Sequence, residues 1–187
     1  YCSCEWIARM DTDDLSAPDR CEKQLKFLEE HPEVDALSGT IAEFQGDALD
    51  GKTAETAVIS YKTVPETQKE IAAYIKQRNP LNHPCVMFRK ASVESAGGYQ
   101  PCPYFEDYDL WVRMYKDHAV FANLPDTLLY MRINAPAAGR DPVCEVCDRF
   151  PCENVPEPGH HLRRVPADDD RSGSGESDAE FAATVLI

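Results

Sequence analysis

The chain has 187 residues, 43% of them hydrophobic and 28% charged, enough for one domain with a substantial core. Its 33 acidic side chains against 19 basic ones give a formal charge of −14, which speaks against a nucleic-acid-binding face. No apolar run approaches the roughly 20 residues of a membrane span, so a helical membrane class is excluded too.

Taken in order, residues 6–10 read as a short strand running into acids. Ser16, Pro18 and Asp19 mark a helix start with Ser16 as the cap. Cys21, Leu25 and Leu28 then fall on one helical face, and Pro32 ends the helix. Strands are expected over 34–44 and 56–61, then a helix over 65–76 that Asn79-Pro80 breaks. Residues 85–88 form a buried-strand run. A short helix after Lys90 stops at Gly97-Gly98. A helix over 107–116 and closing strands over 120–124 and 128–133 complete the series. Alternating strands and helices define an α/β class.

The chain starts at Tyr1 without Met and without signal-peptide character, so a fragment or processed product is expected. Composition divides it in two. Residues 1–133 hold all eight Lys. Residues 134–187 hold none, carry 5 basic against 11 acidic side chains, and contain six of the fourteen Pro. The second stretch is expected to be a low-complexity, disordered tail, with an apolar run only at 181–187. Eight Cys without a secretory signal read as mostly reduced thiols in a cytoplasmic compartment. Cys144, Cys147, Cys152, His160 and His161 have some metal-ligand character, but no second CxxC pair completes a zinc site. Incidental Cys in a polar tail is the favoured reading.

Two acid clusters carry the chemistry. Asp11-Thr12-Asp13-Asp14 follows the first strand and precedes a helix, where open α/β sheets bind ligands. Oxygen donors there suit a hard divalent cation. An EF-hand is ruled out, because Leu15 and Ser16 stand where a ligand and a Gly are required. An acidic helix lead-in remains the plain alternative. The second cluster is Glu106, Asp107 and Asp109, interleaved with Phe105, Tyr108 and Trp111. A carboxylate in a partly dry setting there suits a general base. Core packing of Leu110, Trp111 and Met114 behind an acidic first turn is the competing reading.

The ordered set of Ile7-Ala8-Arg9-Met10-Asp11-Thr12-Asp13-Asp14, then Arg20, Glu22, Lys23 and Gln24, then Asn82-His83-Pro84-Cys85-Val86-Met87-Phe88-Arg89-Lys90, Ala96-Gly97-Gly98-Tyr99 and Phe105-Glu106-Asp107-Tyr108-Asp109-Leu110-Trp111 resembles bacterial family 2 glycosyltransferases over residues 6–133. The resemblance implies a partial GT-A (Rossmann-like) fold. It implies transfer of a sugar from a nucleotide-sugar donor to a hydroxyl of a glycan or lipid-linked saccharide, with inversion. Asp11 and Asp13 match the DxD acids that hold Mg or Mn and the diphosphate. Asp14 extends that motif as a substrate-binding or orienting residue. Asp107 matches the general base. Glu106 and His83 lie at matching substrate-side positions. A family member would have an opening βαβα region of about 80–100 residues before the DxD strand. Its absence here implies a bare sheet edge and weakened catalysis. The alternative is a non-catalytic remnant or a metal-binding interaction protein with a Cys/His tail. Contact with the inner membrane surface rests on analogy alone, and oligomeric state is not legible.

Overall fold

The computed structural model describes residues 2–48, 50–133 and 183–186. Among them the chain runs β1 (Trp6–Arg9), β2 (Leu15–Ser16), α1 (Arg20–Glu30), β3 (Ala36–Phe44), α2 (Gly51–Thr56), β4 (Val58–Lys62), α3 (Gln68–Tyr74), a 3₁₀ turn (His83–Cys85), β5 (Met87–Arg89), α4 (Lys90–Ser95), α5 (Glu106–Lys116), β6 (Phe121–Arg132) and β7 (Ala183–Leu186). The α/β class is as expected.

The strands form one mixed sheet in the order β2-β6-β3-β5-β1-β7, with β4 paired to β3. β5 is antiparallel to both β1 and β3, and β3 is parallel to β6. Strands β1, β3 and β6 therefore point the same way and end at one edge. Arg132 ends β6 at that edge, and beyond it lie the Asp11–Asp14 turn and the loop after Phe44.

Side-chain alternation sorts the core onto two faces. Ile7, Ala36 and Phe88 pack with Ile71, Trp111 and Phe121 against α3 and α5. Trp6, Ala8, Leu37 and Met87 pack on the other face with Leu28 of α1. Cys21 and Leu25 flank that second cluster, as the helical spacing foretold. Leu110, Trp111 and Met114 are buried, so the core-packing reading of that face of α5 holds.

Several local expectations need correcting. Ser16 does not cap α1: it lies in β2, paired with Leu129 of β6, and the helix begins at Arg20 behind Asp19. The two expected closing strands are one strand, β6. Gly39 faces Leu124 and Thr40 faces Thr127, so Pro125 and Asp126 bulge out of the ladder and Pro125 interrupts no pairing there. Gly39 permits this close approach, since a Cβ there would stand 2.9 Å from the Leu124 carbonyl oxygen. The expected bare edge of β1 carries β7, paired in parallel with Trp6 to Arg9. The Cys144–His161 ligand set and the remainder of 134–182 lie outside the described residues.

Candidate active site

Short-range turns and long-range polar contacts fix the acid loop. The Asp14 N–H donates to the Asp11 carbonyl at 3.3 Å, folding the DxDD segment into a turn. The Arg9 guanidinium grips the Asp11 carboxylate with two nitrogens, one at 2.6 Å. Asp13 is exposed, whereas Asp14 is buried at 6% exposure. Asp14 Oδ1 accepts the Arg132 backbone N–H at 2.9 Å, and its Oδ2 is buried without a partner. Burial, helped by Asp11 and Asp13, lifts the Asp14 pKa to about 6, against the pull of the Arg132 N–H.

Arg132 acts across the end of the sheet. Its guanidinium donates to the carbonyls of Asp13 at 3.1 Å, Ala48 at 2.6 Å and Gly46, and stacks 4.7 Å above the Phe44 ring. The acid loop is thereby tied to the loop after β3. Nothing local in the sequence marks this residue.

The second cluster sits at the start of α5. Asp107 is about one-fifth exposed. Its Oδ1 accepts the N–H of Tyr108 at 2.7 Å and its Oδ2 accepts from Asn79 Nδ2 at 2.5 Å. Desolvation raises its pKa, while those two donors pull it down. Asp109 plays a different part. It is buried and paired with Arg113, whose guanidinium also binds the Ala96 and Gly98 carbonyls. That ion pair fastens α5 to the Gly97-Gly98 turn, where both residues have positive φ. The same turn delivers Tyr99.

The 79–85 segment joins the two clusters. Asn82 is buried; its side-chain amide donates to Gly39 O at 2.8 Å and Lys62 O at 2.9 Å, anchoring the segment to β3 and β4. His83 follows, with Nε2 2.9 Å from the Tyr99 hydroxyl and Nδ1 4.0 Å from Asp107 Oδ2. Burial, then the nearby Arg9 charge, depresses the His83 pKa to about 4. The ring is neutral at physiological pH, so its approach to Asp107 is not an ion pair. Asp11 and Glu106 oppose this depression, which places both acid clusters within electrostatic reach of one imidazole. His83 thus stands beside Asp107, and Arg9, which holds Asp11, acts on both through its charge. Asp13 and Asp14 follow Asp11 in the acid turn. Sequence reasoning missed Asn79, which reads as a helix stop before Pro80, as well as Arg9 and Arg132.

Among the described residues, no three His, Cys, Asp or Glu side chains converge to hold a cation unaided. The donors present are nevertheless oxygen only, with Asp13 open and Asp11 held by Arg9. Mg or Mn needs only one or two carboxylates when substrate phosphates and water complete its shell. The Asp11–Asp13 pair fits that partial role.

Open α/β sheets bind ligands beyond the carboxyl ends of their strands, and the acid turn stands at that edge of this sheet. The chain belongs to glycosyltransferase family 2: the family profile described as "Glycosyl transferase family 2" matches residues 1–96. The expected GT-A fold goes with that membership. An uncharacterized glycosyltransferase of Haemophilus influenzae is 40% identical over 133 residues, 71% of this chain and 46% of that protein. The amylovoran biosynthesis glycosyltransferase AmsE of Erwinia amylovora is 40% identical over 131 residues, covering 70% and 46%. The Escherichia coli UDP-Gal:alpha-D-GlcNAc-diphosphoundecaprenol beta-1,3-galactosyltransferase is 32% identical over 139 residues, covering 74% and 48%. The chain thus spans about half the length of the curated relatives it matches.

Proposed function

We propose that this chain carries the cation-side and acceptor-side machinery of a glycosyltransferase. The enzyme moves a sugar from a nucleotide-sugar donor to a hydroxyl of a glycan or lipid-linked saccharide, in a single inverting displacement. The observation that supports this reading is Arg9, which grips Asp11 while its charge acts on the adjacent His83 and Asp107. The relatives' names, which include polysaccharide biosynthesis and a UDP-galactose-dependent transferase, support the substrate class.

Asp11 and Asp13 would hold Mg or Mn, which would supply positive charge to offset the negative charge developing on the departing nucleotide diphosphate. Arg9, now paired with Asp11, adds a guanidinium suited to the same phosphates. Asp14 orients the turn through the Arg132 N–H. Asp107 removes the acceptor proton as the hydroxyl oxygen attacks the anomeric carbon, and partial burial keeps its pKa closer to working pH. Glu106 and neutral His83 face the substrate beside it. No helix among the described residues is long and apolar enough to cross a membrane. The free thiols of Cys2, Cys4, Cys21 and Cys85 suit a reducing cytoplasm.

The test is turnover by the full chain with Mn²⁺, UDP-galactose and a GlcNAc-diphospholipid acceptor, with the product's anomeric configuration read by NMR. Transfer with inversion is expected, and Asp107→Asn should slow it by about 10²-fold or more. Absence of transfer by the wild-type chain, or an unchanged rate in D107N, overturns the reading.

A further inference from the structure

The side chain that most directly controls the Asp107 carboxylate is Asn79, 28 residues away on a separate loop. Its orientation is not arbitrary. The backbone N–H of Leu81 points at Asn79 and must meet an acceptor, so the amide oxygen faces Leu81 at 3.2 Å. The amide nitrogen is then forced toward Asp107 Oδ2, which it reaches at 2.5 Å. The loop is held too. Pro80 restricts the Asn79 backbone, and Asn123 of β6 donates to the Pro80 carbonyl at 3.0 Å. Asn79 is therefore a donor presented by a fixed support.

With Oδ1 taken by its own helix at Tyr108 and Oδ2 by Asn79, the carboxylate plane cannot rotate freely. One lone pair remains on each oxygen. The geometry points to Asn79 as a positioning residue for Asp107: its amide fixes the carboxylate plane and holds the group ionised, so that a free lone pair stands ready for the acceptor hydroxyl. This rests on the reading of Asp107 as the base. Desolvation works toward protonation, and the Asn79 and Tyr108 donors oppose it. Arg9, His83, Tyr99 and Glu106 are the other titratable or charged groups facing this carboxylate.

The test begins with a ¹³C-carboxyl NMR titration of Asp107 in the full chain and needs no turnover. Asn79→Asp keeps the shape and the acceptor for Leu81 but removes the donor; Asn79→Ala removes both. The Asp107 midpoint should rise in both variants, further in N79D, where a second carboxylate adjoins it. With Mn²⁺ and UDP-galactose, the acidic limb of the kcat profile should move up by the same interval. Below that limb, kcat should fall about tenfold per pH unit of displacement, with the donor KM unchanged. A midpoint unchanged in both variants, or lowered in N79D, overturns the inference, because a merely structural Asn79 would leave it in place. D107N separately decides whether Asp107 is the base, so the two failures are distinguishable.

Discussion

Gln24 is the most informative stability probe, because one side chain ties both β3 and the 3₁₀ turn to α1. It is fully buried. Its Oε1 accepts from Arg20 Nε at 3.0 Å, and its Nε2 donates to Leu37 O at 3.2 Å and Cys85 O at 3.0 Å. Arg20, itself 2% exposed, carries the tie onward to the Arg9 carbonyl at 2.8 Å, just before Asp11. Gln24→Leu keeps the volume but strands one guanidinium N–H and deprives two carbonyls of this donor. Each unsatisfied buried group costs about 1–3 kcal/mol, more for a charged one. Less the gain from burying leucine, the loss should be about 4 kcal/mol, a large share of the roughly 5–15 kcal/mol that holds a domain together. Urea unfolding of the full chain reads this as a midpoint lowered by about 2 M. A Q24L midpoint within about 0.5 M of wild type would show that the network is not the dry junction described.

Arg132→Met retains the Asp14 bond to the residue-132 N–H but removes the donations to Asp13, Gly46 and Ala48. At this partly exposed site it should cost about 2 kcal/mol in urea unfolding and weaken Mn²⁺–UDP binding measured by calorimetry. His83 has a folded pKa of about 4 against an ordinary 6.5, so the unfolded chain binds the extra proton between those values. Stability from this group is complete above pH 6.5 and is lost as pH falls toward 4, by up to about 3 kcal/mol. Asp14 and Asp107, both raised, slope the opposite way, so the difference between wild-type and His83→Gln stability profiles isolates the imidazole. Thr67→Ala breaks the reciprocal cap between Thr67 and Glu70 at the start of α3 and should lower the unfolding free energy by about 1 kcal/mol.

What the sequence revealed follows the range of the forces involved. The amphipathic face of α1 and the buried run in α5 are local periodicities, and both appear where the spacing put them. The two acid clusters are also legible, because their residues are contiguous. Glycine at 97 and 98 correctly signalled a turn, although its service to Tyr99 and Arg113 did not show. Long-range polar bonds left no such trace. Arg132 meets Asp14 across 118 residues, and Asn79 meets Asp107 across 28. The six-residue α2, capped by Asp50 at the Thr53 N–H, is too short to show a period. Ser16 looked like a helix cap because caps and strand ends favour similar polar residues; its pairing with β6 decided the matter. The apolar 181–187 run was visible, but only the sheet shows that 183–186 lie along β1.

If Asp11, Asp13 and Asp107 serve one bound sugar nucleotide, a cation held by the first two lies close to the Asp107 carboxylate. Paramagnetic NMR tests it most directly, by titrating Mn²⁺ with UDP into the full chain and following the Asp107 carboxyl and His83 imidazole signals. Selective broadening of both is expected, abolished in Asp13→Asn. Broadening confined to other residues, or equally strong in the variant, would contradict it.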